Sequence, residues 1–177
     1  MTSPLYAELL LVVTVVLAAS TDLISRRIPN RLLMLCGLGA IGLHLAGPHP
    51  TAHLLTALGG AATGLAVFLP LYLLRGMAAG DVKLLATAGL FLSPREVLWL
   101  AVLTVCAGGV MGLAVLLWRG RWRDAWRNVA TLLRPWWMRL AGVHLAPEAL
   151  PKGSVGNLPY GLAIASATLF FLAQRHC

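Results

Sequence analysis

Negative charge is what this chain has least of. Only 6 of its 177 residues are Asp or Glu, against 14 Lys and Arg, and the four charged types together make up 11%. So little charge excludes an ordinary soluble surface, since soluble domains carry about 25% charged residues. Cysteine is scarce as well. Cys36, Cys106 and Cys177 stand far apart with no Cys-x-x-Cys or Cys/His ligand spacing, which excludes a disulfide framework and a structural zinc site. Cys36 and Cys106 fall inside apolar runs, where a free thiol packs as a small hydrophobe. No Lys or Arg precedes Arg26, so Ala18-Ala19-Ser20 lacks the basic segment that leads a cleaved signal peptide. The first apolar run is therefore expected to be retained. No internal repeat or low-complexity tract stands out.

What is present is apolar: 59% of residues are hydrophobic and the mean hydropathy is +0.81. This is the composition of an integral membrane protein. Spans of roughly 20 apolar residues match a hydrocarbon core of about 30 Å. Six are expected, at Leu5–Leu23, Leu32–Leu45, His53–Leu74, Val82–Leu92, Val97–Trp118 and Leu158–Leu172. The second and fourth are short, which predicts tilt, local thinning or shelter behind neighbours. The expected fold is all-α, a polytopic helical bundle of about six transmembrane helices in a single membrane domain over residues 1–177.

The net charge of +8 invites a nucleic-acid reading, but the placement of the charges argues against it. With the N-terminus outside, the cytoplasmic segments hold Arg26, Arg27, Arg31, Arg75, Lys83, Arg119, Arg121, Arg123, Arg127, Arg134, Arg139 and Lys152. Only Arg95 and Arg175 remain outside. Such asymmetry orients a membrane protein under the positive-inside rule, and no nucleic-acid partner is expected. Most of these cations lie in a long cytoplasmic connection, 119–157. There Trp118, Trp122 and Trp126, like Arg119, Arg123 and Arg127, recur every four residues and would form adjacent aromatic and cationic stripes on a helix. This predicts an interfacial amphipathic helix against anionic lipid, ended or kinked by Pro135, with a second reading as a shelf for a peptide substrate. The stretch from Ala146 to Gly156 reads as a loop. His49 and His53 are four apart, but Pro48 and Pro50 imply an irregular turn and no third ligand is near in sequence, so no metal site is expected.

Two of the few acids lie at the ends of apolar segments: Asp22 in Ser20-Thr21-Asp22-Leu23 and Asp81 in Gly80-Asp81-Val82-Lys83. A charge near hydrocarbon costs about 2.5–3.5 kcal/mol on insertion scales, so two at matching depth call for a cause. Each has a local one. Asp81 stands where a helix starts and suits N-capping, and Asp22 is one turn from Arg26, as an ion pair would be. Antiparallel packing of the first and fourth helices would instead bring both to one pocket. Two carboxylates that share a proton titrate as a pair. The ionised member can deprotonate water while the protonated one polarises a carbonyl.

Three motifs carry a resemblance. Asp22-Leu23-Ile24-Ser25-Arg26-Arg27-Ile28-Pro29-Asn30, Gly80-Asp81-Val82-Lys83-Leu84-Leu85 and Leu158-Pro159-Tyr160-Gly161-Leu162-Ala163-Ile164 occur in this order. Together they resemble the type IV leader (prepilin) peptidases, intramembrane aspartyl proteases, and the match is close to the small Tad/Cpa-type members. The resemblance implies Asp22 and Asp81 as catalytic aspartates, with no cofactor and no metal. It implies a prepilin substrate whose leader, joined to a hydrophobic helix, is cut on the cytoplasmic side, typically after a glycine. Gly80 would give room for the dyad or the substrate strand, and Lys83 would adjust local charge. Arg27, Pro29 and Asn30 would shape the loop beside Asp22, and Pro159, Tyr160 and Gly161 would open the last helix.

Two departures stand out. Ala78 replaces the first glycine of Gly-x-Gly-Asp, which would cost about 1 kcal/mol if that position needs a positive φ. The cysteine pairs of the larger, methylating relatives are missing, which predicts cleavage without N-methylation. A proton-coupled transporter and a non-catalytic assembly factor are the competing functions. The first is disfavoured because both acids lie toward one face of the membrane.

Overall fold

The computed structural model describes residues 5–74, 76–118, 120 and 160–176. Among them are six helices: α1 (Leu5–Ser25), α2 (Asn30–Ala46), α3 (Pro50–Leu73), α4 (Ala79–Gly89), α5 (Pro94–Trp118) and α6 (Tyr160–His176). Each covers one of the six apolar runs, with ends shifted by a few residues. The Trp/Arg stretch after Trp118, the 146–156 loop and Pro159 lie outside the described residues.

The helix ends follow from local chemistry. Arg26 closes α1 in the left-handed region at φ 54, its N–H donating to the carbonyl of Asp22 at 2.9 Å. A residue of that conformation just past a helix is a common way to satisfy a terminal carbonyl. Pro50 begins α3 and Pro94 begins α5, where a missing N–H costs nothing. Ahead of α5, the backbone N–H and the hydroxyl of Ser93 both donate to Glu96 at 2.7 Å, a capping arrangement. Arg175 and His176 sit in the last turn of α6, where positive charge suits the helix dipole.

The chain divides into two compact units, 1–109 with 159–177, and 110–158. In the second, the described part is the end of α5 and Gly120, and Leu117 and Trp118 are exposed there. The first holds the core, where Leu11, Val15, Phe68, Leu84, Leu85, Leu100 and Ile164 are fully buried. Helix α4 is at its centre, packed against α1, α2, α3 and α6. Cys36 is buried as expected, whereas Cys106 is exposed on the outward face of α5, so it does not pack in the interior.

Among the described residues three helices, α1, α3 and α5, are long and apolar enough to cross a membrane. Their outward faces carry exposed Leu9, Val13, Leu55, Leu58, Leu98 and Val102, apolar surface that suits lipid and not water. The chain is thus a helical membrane protein. The expectation of six full spans is not matched in length: α2 and α6 have 17 residues and α4 has 11. At 1.5 Å per residue these reach about 26 Å and about 17 Å, short of a core of about 30 Å. Shelter explains the shortest. Most of α4 is buried by protein, so its ends need not reach both membrane surfaces.

The close approach of α3 and α4 rests on glycine. The backbone of Gly60 lies directly on the carbonyls of Gly89 and Leu92, and one turn on, Gly64 faces the carbonyl of Leu85. Any side chain at Gly60 would force the two backbones apart. At the end of the unit away from Asp22 and Asp81, Arg175 reaches Glu8 at 3.7 Å and Glu96 at 3.5 Å, and His176 Nε2 lies 2.7 Å from Glu8 Oε2. These contacts tie the end of α6 to the starts of α1 and α5.

Candidate active site

Asp22 stands in the last turn of α1 and Asp81 in the first turn of α4, and both are buried, at 9% and 5% exposure. They meet at one end of the unit because α1 runs into it and α4 runs out of it, and the two helices pack together. Asp81 lies ahead of the apolar stretch 82–92 and outside the three long apolar helices. Burial and, after it, the nearby Asp22 charge push its carboxyl up from 3.8 to about 7, against an opposing hydrogen bond from the Ala78 backbone. A buried acid beside a second carboxylate keeps its proton near neutral pH for both reasons.

The N-cap reading of Asp81 needs correction. Ala78 is the residue ahead of the helix, and Asp81 is the third residue within it. From there its carboxylate reaches back to the Ala78 backbone, half of a capping box, while its own N–H donates to the Ala78 carbonyl at 3.1 Å. The feared strain at Ala78 is absent. Its φ of −81 and ψ of 150 are extended backbone that any residue adopts, so alanine there costs nothing conformationally.

The first two motifs dock on each other. Gly80 faces Ile28, whose Cβ would stand 3.4 Å from a Cβ at that position, so the room at Gly80 is filled by the α1–α2 connection. Lys83 Nζ donates to Asn30 Oδ1 at 3.1 Å. Pro29, with φ −65, precedes α2, and its carbonyl accepts from the N–H of Leu32 at 3.1 Å. Arg27 is exposed, and its carbonyl accepts from the Ser25 hydroxyl at 3.1 Å. Of the two contacts between motifs, the apolar one carries more energy. Ile28→Ala is expected to destabilise the fold by about 1–2 kcal/mol, less than a full core truncation because Ile28 is only half-buried. Lys83→Met, which removes an exposed hydrogen bond, is expected to cost under about 1 kcal/mol. Unfolding in detergent monitored by circular dichroism measures both.

The third motif supplies a contact that sequence reasoning missed. The backbone N–H of Gly161, in the first turn of α6, donates to Oδ2 of Asp22 at 3.0 Å. Its signal in the sequence was a glycine at a helix start, which alone names no partner. Tyr160 is half-buried with its ring against Gly108 of α5.

A cavity of about 540 Å³ opens at the opposite end of the same unit, lined by Tyr6, His44, His53, Glu96 and Arg175 among others. Neither aspartate lines it. His53 stacks on His44, with ring centroids 6.3 Å apart, and His44 Nε2 meets the Leu90 carbonyl at 2.8 Å. Among the described residues no three His, Cys, Asp or Glu are grouped as a metal site would need. Two buried carboxylates at one end of a helical unit, one of them held well above the usual carboxylate range, suit acid–base hydrolysis.

Residues 9–113 match the sequence model of the type IV leader peptidase family. No curated protein and no solved structure gave a match to the chain.

Proposed function

The chain belongs to the type IV leader peptidase family, and from that premise we propose that it is an intramembrane aspartyl endopeptidase that removes the leader peptides of Flp/Tad-like type IV prepilins. Asp22 and Asp81 are the catalytic pair in this reading. The observation that carries it is the burial of both at one end of the helical unit, where desolvation and then the nearby Asp22 charge raise Asp81. The basic residues around that end favour placing it at the cytoplasmic face of the cell membrane, with the N-terminus outside. The shorter helices α2, α4 and α6 pack with the longer ones inside a single peptidase domain, and residues 119–157 are its Trp/Arg-rich cytoplasmic connection, suited to anionic lipid.

The reaction needs only the pair and a water. The ionised carboxylate takes a proton from water as its oxygen adds to the peptide carbonyl carbon, and the protonated carboxyl gives its proton to the carbonyl oxygen, forming a neutral gem-diol. On collapse, the proton held by the first carboxyl passes to the amide nitrogen and the C–N bond breaks. The second carboxyl regains its proton from the gem-diol, so the pair returns to its starting state. The protein supplies a shielded place for one shared proton, which two nearby carboxylates hold more readily than two charges.

The pH dependence follows with a definite sign. Asp81 is protonated below about 7 and loses its proton above it, so the acid partner is lost as pH rises. Cleavage rates are therefore expected to fall as pH climbs through about 7 toward 9. The test reconstitutes the purified protein in liposomes with a tagged prepilin, follows leader removal by gel shift and N-terminal sequencing, and repeats it across that range. A rate that keeps rising above pH 8 would sink the assignment of Asp81 as the acid. With S-adenosylmethionine present, the new N-terminus is expected to stay unmethylated, since the 177 residues hold no cysteine pair.

A further inference from the structure

The two aspartates are held differently, and that difference separates their roles. Asp81 is fixed locally, by the Ala78 backbone just ahead of its own helix. Asp22 is held from another helix, by an amide 139 residues away in the chain. An N–H in the first turn of a helix has no carbonyl four residues back, so it is free to donate outward, and it stands at the positive end of the helix dipole. Gly161 spends that N–H on Oδ2 of Asp22.

Space reinforces the bond. A Cβ at Gly161 would stand 2.9 Å from Oδ2, 3.0 Å from Cβ and 3.3 Å from Cγ of Asp22. The atoms it would meet first are the carboxylate and its stem, so any side chain there displaces the group itself. Helices α1 and α6 are also joined at their far ends, where His176 and Arg175 meet Glu8. Contacts at both ends leave α6 little freedom to slide along α1, so the amide stays in register with the carboxylate.

Resting on the reading of Asp22 and Asp81 as the catalytic pair, we propose that Gly161 is a positioning residue. Its amide and its missing side chain hold Oδ2 of Asp22, leaving Oδ1 to take the proton of the attacking water and Asp81 to give its proton to the carbonyl oxygen. An amide N–H donates to a lone pair, so it matches an oxygen that carries no proton. The proton balance is that of the hydrolysis above: one proton onto Asp22 Oδ1, one from Asp81 to the carbonyl oxygen, and both restored on collapse.

Two replacements test it in the liposome assay. Replacing Gly161 with glycolic acid exchanges the amide for an ester, removing the N–H without adding bulk or breaking a helical hydrogen bond. Gly161→Ala keeps the N–H and displaces the carboxylate. The ester is expected to lower kcat about tenfold per folded molecule, with KM unchanged, because the lost contact orients a reacting group and does not bind substrate. Gly161→Ala is expected to lower kcat about 100-fold per folded molecule, the scale of a misplacement near 1 Å. An ester variant with wild-type kcat overturns the proposal, as does Gly161→Ala with wild-type kcat per folded molecule. Asp22→Asn in the same assay separates the two levels. If wild type cuts and Asp22→Asn does not, the catalytic pair stands whatever Gly161 does; if Asp22→Asn cuts normally, the pair itself falls.

Discussion

Asp22→Asn and Asp81→Asn are each expected to lower leader cleavage by about 10²–10⁴-fold, the range that general acid–base groups contribute. Asparagine keeps the shape of aspartate, so both variants are expected to insert and fold. At position 22 it can still accept the Gly161 N–H through its amide oxygen, yet it cannot take a proton from water. At position 81 it removes a buried acid and leaves Asp22 without a partner to share a proton. The double variant is expected to be no slower than the poorer single one by more than a few-fold, because residues that act as a unit do not contribute additively. The measurement is single-turnover cleavage of a tagged prepilin by equal amounts of inserted protein. Either single variant cutting at the wild-type rate would remove the aspartyl mechanism and revive the transporter or scaffold functions.

The second large effect is structural and reaches the site through α4. Gly60→Ala places a methyl group onto the carbonyls of Gly89 and Leu92, where the obstacles are backbone atoms that cannot rotate away. Helices α3 and α4 must separate, and overpacking of that kind costs about 3 kcal/mol or more. Gly42→Ala in α2 is the matched control, since no atom lies within 4 Å of the added methyl. There the change is expected to stabilise by about 0.5–1 kcal/mol, as alanine does in a helix interior. Denaturant unfolding in one detergent, read by circular dichroism, compares the two. Because α4 carries Asp81, Gly60→Ala is also expected to cut more slowly per folded molecule, whereas Gly42→Ala keeps the wild-type rate. Equal stability of the two variants would contradict the backbone contact between α3 and α4.

Much of this protein is local information. Runs of apolar residues bounded by Gly47-Pro48, by Ser93-Pro94 and by the basic cluster after Ser25 set where helices stop and start, and the six helices fall on them. The scarcity of acids made Asp22 and Asp81 visible, since a carboxylate among apolar neighbours needs a reason that hydrophobic pattern cannot supply. Each of these is a property of a residue and its near neighbours in the chain.

Tertiary structure decided what depends on partners. An apolar run of 11 residues can be a weak span or the centre of a bundle, and only packing against α1, α2, α3 and α6 makes α4 the latter. The cost of Ala78 turned on a backbone angle set by the approach to α4, which proved extended. Ile28 fills the space at Gly80, and Lys83 reaches Asn30, because two motifs 53 residues apart meet face to face. The amide of Gly161 finds Asp22 across 139 residues because α6 lies antiparallel on α1. Composition and spacing act over a few residues, so they name the helices and the acids. Which helix lies against which is settled by the summed packing of the whole unit, and no single segment contains it.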